Sequence, residues 1–324
     1  MIKTIVTNNN IEGFIVTNET AKADNASIPT CSTIGLGNFD GFHLGHVFLV
    51  SYLIRIAKSL KTSSLLYTFD AHPQNVINDN RRIKLLTDNY QKCRIAERMG
   101  IDRLFFDKFD IAFSKMTPEE FVQDILIKKL MAKCVVSGFN YRFGRNGAGT
   151  SETLKTLAAK YGLKVFVIEP YMVDGVIVSS TLIRKYVSEG YVREASYLLG
   201  RLFSIRGKVV NGLRIGRGIG IPTANVIPDS DMLIPKEGVY VSSVKTQDGC
   251  VSRGVTSIGN NPTIGVNKQI IVETHIFNCN LDLYGQEIEV FFHTRIRDEF
   301  KFDTIKKLKT RIQNDISEAK DYFI

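Results

Sequence analysis

No stretch of the 324-residue chain approaches the ~18 consecutive apolar residues that span a bilayer, and its opening, Met-Ile-Lys-Thr-Ile-Val-Thr-Asn-Asn-Asn, lacks the long apolar core of a signal peptide. Both absences exclude membrane and secretory readings and predict a cytoplasmic protein. The five cysteines, Cys31, Cys93, Cys134, Cys250 and Cys279, are odd in number, scattered, and without a Cys-x-x-Cys pair. That excludes a disulfide framework and a zinc ribbon and predicts reduced, structural thiols. Gly-x-x-x-x-Gly-Lys-Ser/Thr is missing, so no P-loop is expected. The net charge is +9, yet Lys and Arg form no long cluster and no aromatic-basic stacking motif accompanies them. Anionic small substrates or a lysine-rich solvated surface explain the charge as well as nucleic acid does, so no nucleic-acid partner is expected. With 44% hydrophobic and 23% charged residues the chain is an ordinary soluble one, long enough for two domains.

The densest stretch is residues 35 to 46, Gly-Leu-Gly-Asn-Phe-Asp-Gly-Phe-His-Leu-Gly-His. Cys31-Ser-Thr-Ile-Gly-Leu-Gly before it reads as a buried strand. From His43 onward Leu44, Val47, Phe48, Tyr52, Leu53, Ile56 and Leu60 recur at helical spacing. The glycines and histidines therefore fall at a strand-to-helix turn. Gly35, Gly37, Gly41 and Gly45 leave the backbone bare for a ligand, the helix start offers N–H groups to an anion, and His43 and His46 share one helix face. A plain βα turn does not need four glycines and two histidines in twelve residues. No Cys, Asp or Glu at ligand spacing follows to make a metal site.

Further on, strands are expected at Ser63–Phe69, Ile101–Phe106, Cys134–Ser137, Lys164–Ile168 and Gly175–Val178, with helices over 88–99, from Thr117-Pro-Glu-Glu to about Met131, and over 150–161. Pro73 is expected to take the chain out of regular structure. Alternation at this spacing predicts a parallel sheet covered on both faces, with ligands beyond the carboxyl ends of its strands. There His43 and His46, His72, the segment Gly138-Phe-Asn140-Tyr-Arg142 and Ser179-Ser180-Thr181-Leu-Ile-Arg184 could converge, all following strands of one sheet. A lone Ser-Ser-Thr before a helix is usually only a cap, and His72 reads best as ordering a turn. The stretch Gly138 to Gly149, with four glycines and two arginines, is an anion-binding flap or a plain loop.

Two short amphipathic segments from Lys185 to Gly200 form the expected linker. The period then changes: five or six short β-branched strands separated by Gly, Pro, Asn and Asp predict a small antiparallel barrel. A last helix over 303–321 should turn Ile305, Leu308, Ile312 and Ile316 to one face. Residues 211 to 225, with Gly216, Gly218 and Gly220, form either a hairpin loop or a phosphate cradle. Thr223 and Asn225 put two oxygen-bearing side chains on one face of an extended segment, which suits Mg²⁺. Glu273, inside an apolar strand, is either on a wet face or a base for an attacking hydroxyl; Arg297 is either an acceptor- or phosphate-binding group or a surface arginine.

The opening string resembles the His-x-Gly-His signature of nucleotidyltransferases that join ATP to a small substrate and release pyrophosphate. Taken in order, Gly37-Asn-Phe-Asp-Gly-Phe-His-Leu-Gly-His, Thr68-Phe-Asp-Ala-His-Pro, Ser179-Ser-Thr-Leu-Ile-Arg, Gly216-Arg-Gly-Ile-Gly-Ile-Pro-Thr-Ala-Asn, Gly238-Val-Tyr, Asn261-Pro-Thr, Val272-Glu-Thr-His-Ile-Phe and Asp282-Leu-Tyr-Gly look like the bacterial bifunctional riboflavin kinase/FMN adenylyltransferases. The resemblance implies a Rossmann-like nucleotidyltransferase domain over 1–186 and a riboflavin kinase β-barrel with a C-terminal helix over 187–324. It implies that the barrel makes FMN from riboflavin and ATP, with Thr223 and Asn225 at Mg-ATP, Glu273 as base, and Gly216, Gly218, Gly220 and Arg297 at the ligands. The first domain would make FAD, with Gly37, Asn38, Phe39, Asp40, Gly41, His43, Gly45, His46, Asn140, Ser180, Thr181 and Arg184 around ATP. Substrates and products are then riboflavin, FMN, FAD and ATP; a homo-oligomer is compatible with all of this. The alternative is a nucleotidyltransferase for another small phosphorylated substrate, with the barrel as a binding module.

Overall fold

A computed structural model describes residues 3–6, 13–17, 31–78, 82–212, 220–260, 270–279, 282–300 and 302–324. The chain divides into two compact units, Met1–Ser179 and Ser180–Ile324. The first is built on seven strands: β1 (Lys3–Val6), β2 (Gly13–Thr17), β3 (Ser32–Leu36), β4 (Ser63–Phe69), β5 (Arg103–Asp107), β6 (Ala132–Gly138) and β7 (Lys164–Ile168), in the order β1-β2-β5-β4-β3-β6-β7. β5, β4, β3, β6 and β7 are parallel, as the alternation predicted. β2 and β1 extend the sheet antiparallel at the β5 edge, an addition not foreseen.

Strand alternation sends successive side chains to opposite faces, and each face receives two helices. Leu66 and Leu104 meet Leu49, Val50 and Leu53 of helix Leu44–Leu60 and Ala96 of helix Asn89–Met99. Ile34, Leu65 and Tyr67 meet Phe121, Val122, Leu126 and, from helix Ser151–Ala159, Leu154 and Leu157. The turn chemistry is as expected at Thr117, which forms a reciprocal capping box with Glu120, Pro118 following at the first helical position; Asp88, the expected start of its helix, also forms a capping box, with Gln91. Three expectations are corrected. Pro73 opens a short helix, Pro73–Ile77, instead of ending regular structure, because proline's fixed φ suits a first helical turn. After Glu120 the helix runs on as a π-helix, Phe121–Lys129. Residues 175–178 do not join the sheet: β8 (Met172–Val173) and β9 (Val176–Ile177) form a separate hairpin about Asp174 (φ 50°) and Gly175 (φ 78°).

The second unit begins with two helices, Ser180–Glu189, the helix expected after Ser179-Ser-Thr, and Val192–Leu199, within the stretch from Lys185 to Gly200 expected as a linker of two amphipathic segments; Gly190 separates them in a left-handed conformation and Gly200 caps the second. Six strands follow, β10 (Phe203–Val210), β11 (Ala224–Pro228), β12 (Gly238–Lys245), β13 (Val251–Asn260), β14 (Ile270–Ile276) and β15 (Glu287–Arg297). They close as an antiparallel barrel in the order β10-β11-β14-β13-β12-β15. Inside it a polar row crosses three strands: Thr256 donates to Ser242 at 2.7 Å and shares a hydrogen bond with Thr274 at 2.9 Å. All three are fully buried, so each hydroxyl needs the others as partners. The last helix, Ile305–Tyr322, packs Ile316, Ala319 and the following Phe323 on Val239, Val241 and Val255. Ile305 is 68% exposed, so the expected apolar face does not hold through the first turn.

Burial pushes the thiols of Cys93 and Cys134 up to about 11, whereas Cys250 is exposed. At pH 8 only on the order of 10⁻³ of either thiol is thiolate, the reactive form. Iodoacetamide at pH 8 should therefore alkylate Cys250 in the native protein and reach Cys93 and Cys134 only after denaturation, as read by mass spectrometry of peptides. Equal labelling of all three in the native state would contradict the packing.

Candidate functional site

From β3 the chain moves first toward β4 and β5, then returns to place β6 and β7 on the other side. Outside the carboxyl ends of β3 and β6 the crossovers part, which is where an open α/β sheet accepts a ligand. Two segments flank that opening. One is the turn after β3, the other the loop after β6.

The turn after β3 is held in an unusual shape. Gly37 N–H donates to Tyr67 O at 3.3 Å, and Thr68 Oγ donates to Asn38 O at 3.1 Å. Phe39 (φ 47°) and Phe42 (φ 42°) are both left-handed, a conformation costing bulky residues roughly 1–3 kcal/mol each. Both rings are fully buried and stacked with centroids 5.4 Å apart. Between them Asp40, 3% exposed, accepts the N–H groups of Leu86 (2.9 Å) and Thr87 (3.1 Å) at one oxygen, with the Thr87 hydroxyl at 3.4 Å. The same hydroxyl accepts Gly41 N–H at 3.0 Å.

The histidines follow from this. His43 is the N-cap of helix Leu44–Leu60, and its Nδ1 accepts the backbone N–H of His46 at 3.3 Å. A nitrogen that accepts carries no proton, so in the neutral ring Nε2 carries the N–H. The two rings stack with centroids 3.7 Å apart and 15° between planes, and His46 sets its edge toward Phe39 and Phe42. His43 thus stands just before the helix, a small shift from the expected shared face. The glycines also have more specific tasks than ligand access. A Cβ at Gly45 would come within 3.2 Å of the His43 ring, one at Gly37 within 3.1 Å of the Phe39 ring, and one at Gly35 within 2.9 Å of Leu53 and Leu66. Gly41 takes φ 81°.

After β6, Asn140 is exposed in a turn closed by Tyr141 N–H to Gly138 O at 3.1 Å. The glycine-rich stretch beyond is pinned by Phe143 and Gly149, which exchange backbone bonds, and by Arg145 N–H to Met116 O at 2.6 Å. A side chain at Gly144 would collide with Pro118. His72 caps helix Pro73–Ile77 through Nδ1, in keeping with the turn-ordering reading. Ser180, Thr181 and Arg184 belong to the helix that opens the second unit. They do not follow a strand of the histidine sheet, because β9 is not in it.

Sequence reasoning passed over several side chains here. Phe69, Phe109 and Phe113 form a half-buried aromatic group at the ends of β4 and β5, with centroids 4.9–5.5 Å apart. Asp107, at the end of β5, accepts from Tyr67 at 2.6 Å and Lys129 at 2.9 Å; its own burial pushes its carboxyl up, against those two partners. Lys92 is also buried. The readable signal for Lys92 was a lysine on the helix face that carries Ala96.

In the barrel, Asn225 of β11 and Ser257 of β13 lie opposite Glu273 of β14. The adjacent register positions Val226, Ile258 and Val272 are fully buried inside, so Glu273, half-buried, stands on the outer face. Thr223 Oγ donates to Glu273 Oε1 at 3.0 Å. Gly212 has no room for a Cβ against the Asn225 amide. Glu299 approaches from beyond β15, its carboxylate over Gly259. Burial, then the charges of Glu237 and Glu273, push its carboxyl up against the opposing pull of Arg297. The outer face thus gathers oxygen donors and negative charge. Among the described residues no three His, Cys, Asp or Glu side chains are grouped to hold a metal. Gly216, Gly218 and Asn261-Pro-Thr lie outside the described residues, whereas Gly220 is a left-handed turn residue. The Arg297 guanidinium grips Asp315 of the last helix through Nε (3.0 Å) and Nη2 (2.6 Å), with Nη1 on Asp298 O. Of its expected alternatives, a surface arginine is excluded: the two side chains are 10% and 3% exposed.

Comparison with known proteins gives matches over both units. A family profile described as FAD synthetase matches residues 25–182, and one described as riboflavin kinase matches residues 199–323. A bifunctional riboflavin kinase/FMN adenylyltransferase of Buchnera aphidicola is 36% identical over 90% of this chain and 93% of its own. That of Listeria monocytogenes is 33% identical over 90% and 92%, and that of Escherichia coli 32% over 89% and 91%. A crystal structure described as a macrolide-efflux protein from Streptococcus pneumoniae superposes with a TM-score of 0.81 at 32% identity, over 89% of this chain and 93% of that one.

Removing one partner of a buried ion pair strands the other's charge. Asp315→Asn should destabilise the second unit by about 3 kcal/mol, measured by urea denaturation followed by circular dichroism. A change below about 0.5 kcal/mol would show that Arg297 does not depend on Asp315.

Proposed function

The chain belongs to the bifunctional riboflavin kinase/FMN adenylyltransferases, and from that membership we propose that its first unit carries the adenylyl transfer and its barrel the phosphoryl transfer. It phosphorylates riboflavin with ATP to give FMN, then adenylylates FMN with ATP to give FAD and pyrophosphate. The observation that carries the reading is the match of both halves, in one chain, to relatives of nearly the same span. Functional domains over 1–186 and 187–324 complete the assignment.

For adenylyl transfer, a phosphate oxygen of FMN attacks the α-phosphorus of ATP, a new P–O bond forms, and the bond to the bridging oxygen breaks as pyrophosphate leaves. Negative charge grows on the α- and β-phosphate oxygens. Nε2 of His43 and the ring of His46 would meet it, a catalysis by placement and charge without a covalent intermediate. Gly37, Asn38, Phe39, Asp40, Gly41 and Gly45 shape the nucleotide turn, with Asn140 from the loop after β6. Ser180, Thr181 and Arg184 would bind ATP on the strength of their motif alone. Phe69, Phe109 and Phe113, packed edge to face or tilted, would offer apolar rings against which an isoalloxazine could lie.

For phosphoryl transfer, Glu273 accepts the proton of the riboflavin hydroxyl as that oxygen attacks the γ-phosphorus and ADP leaves. Its contact with the Thr223 hydroxyl fits an acceptor aimed at an alcohol. Thr223 and Asn225 would hold Mg²⁺, which neutralises phosphate charge when bound; two neutral oxygens suit an ion that keeps most of its waters. Gly216, Gly218 and Gly220 would cradle the phosphates, and Arg297 would fix the strand end beside the flavin. No described helix is long and apolar enough to cross a membrane; a cytoplasmic location, no membrane or nucleic-acid partner, and assembly with copies of itself remain part of the proposal. A nucleotidyltransferase for a different phosphorylated substrate is disfavoured by the Thr223–Glu273 contact, which a mere binding module would not require.

The test is a crossed pair of variants in the full chain. Replacing His43 and His46 with Ala should lower FAD formation from supplied FMN by roughly 10² or more while FMN formation stays near the parent. Glu273→Gln should lower FMN formation by about 10² to 10⁴ and leave adenylylation of supplied FMN intact. Chromatography of the flavins reads both. Loss of both activities in either variant would contradict two separate sites, and a Glu273→Gln kinase within a few-fold of the parent would remove its role as base.

A further inference from the structure

The histidine turn is tied to a segment distant in sequence by hydrogen bonds that converge on one hydroxyl. Residues 82–88 run between the short helix Pro73–Ile77 and helix Asn89–Met99, and the segment is anchored on both sides. The Asn75 side chain donates to Ile83 O at 2.9 Å and accepts Ile83 N–H at 2.6 Å, while Asp88 caps the helix that follows. Between these anchors Leu86 and Thr87 are both buried. Their N–H groups donate to Asp40 Oδ1 at 2.9 Å and 3.1 Å. The Thr87 hydroxyl accepts Gly41 N–H at 3.0 Å and directs its own proton to Asp40 Oδ1 at 3.4 Å. An alcohol carries one donor and two acceptor positions, so this hydroxyl answers two consecutive residues of the turn at once. Those two residues, Asp40 and Gly41 (φ 81°), lie between the left-handed Phe39 and Phe42, directly ahead of His43.

We propose that Thr87 is a positioning residue for adenylyl transfer: its hydroxyl, presented by the anchored segment 82–88, locks Asp40 and Gly41 into the turn that aims His43 and His46. The proposal rests on the adenylyltransferase reading of the first unit. Thr87 acts through the turn and not on a reactant. A residue needed only to fill space there could be valine, which has the same branched shape; the hydroxyl is what makes both bonds. Without it Asp40 keeps its two backbone N–H bonds, so the turn still forms, but the hold on Gly41 and the third bond to Asp40 are lost. Phe39 and Phe42 sit at disfavoured positive φ, so a loosened turn relaxes in a definite direction and carries the cap residue His43 with it. Misplacement of about an ångström costs on the order of 10²-fold in rate, so the effect falls on turnover more than on substrate affinity.

The experiment compares variants of the full chain, with adenylylation of supplied FMN and phosphorylation of riboflavin measured side by side. Thr87→Val, which removes the hydroxyl and keeps the branch, should lower kcat for FAD formation by about 10- to 100-fold while KM for ATP and FMN stays within about threefold and FMN formation is unchanged. The preserved KM also shows that the first unit is folded. Thr87→Ser, which keeps the hydroxyl and loses a methyl group, should hold kcat within about threefold of the parent. A Thr87→Val kcat within about twofold of the parent overturns the proposal. So does an equal loss in Thr87→Val and Thr87→Ser, which would assign the effect to packing. A loss carried by KM with kcat retained also overturns it, because Thr87 would then serve substrate binding. Should Thr87→Val fail to fold, Thr87→Ala takes its place: a kcat about tenfold or more below that of Thr87→Ser supports the proposal, and equal values overturn it. Failure of the unaltered chain to make FAD would overturn the adenylyltransferase reading itself, an outcome separate from normal FAD formation that ignores Thr87.

Discussion

The first unit depends on a turn that its own backbone disfavours. Two phenylalanines sit at positive φ with their rings buried, at a combined cost of roughly 2–6 kcal/mol. Burying the two rings returns about 1.5–3 kcal/mol each, and hydrogen bonds to a charged acceptor about 1.5–3 kcal/mol each. Asp40 makes two close ones to backbone N–H groups, so the favourable terms outweigh the strain. The consequence is geometric. With Phe39 and Phe42 turned inward, the chain reaches the helix start with His43 as its cap, and the cap bond holds one imidazole flat upon the other.

The barrel solves a different problem with alternation. Its interior is closed and filled by Val226, Ile258, Val272, Tyr240 and Phe292, with the Ser242–Thr256–Thr274 row satisfying itself. A one-residue slip of β14 would exchange Glu273 for buried Val272 or Thr274 and put a carboxylate in that interior, so the register is strongly specified. The same register brings Asn225 and Ser257 beside Glu273, while Thr223 reaches it from the segment before β11. Each unit thus sets polar groups at an accessible edge of a rigid sheet. Two transfers with different leaving groups, pyrophosphate and ADP, can then proceed without sharing a catalytic residue.

Much of this was legible in the chain. Period-2 and period-3.6 patterns found the parallel strands, the barrel strands and the capped helices at Asp88 and Thr117, because those elements are stabilised by local chemistry and one buried face. The His-x-Gly-His turn, Thr223-x-Asn225 and Glu273 were legible in the chain, whereas the contact between Thr223 and Glu273 was not. What escaped were effects that need a third dimension. β8 and β9 carry strand-like residues but pair only with each other, since left-handed Asp174 and Gly175 turn the chain back at once. The π-helix has the apolar pattern of an α-helix. Gly35 looked like ligand access and is a packing contact with Leu53 and Leu66. Arg297 could be read from the chain only as a ligand-binding or a surface arginine, yet it meets Asp315, a residue of the last helix that no local pattern connects to it.

The central claim is that one chain performs two chemically different transfers from ATP, at separate sites. The direct measurement is incubation of the full chain with riboflavin, Mg²⁺ and ATP labelled at either the α- or the γ-phosphate, with the flavins separated over time. The account predicts γ-label in FMN from the start, and α-label in FAD but never in FMN. Flavin that takes up label from only one phosphate position at all times, or α-label appearing in FMN, would contradict it.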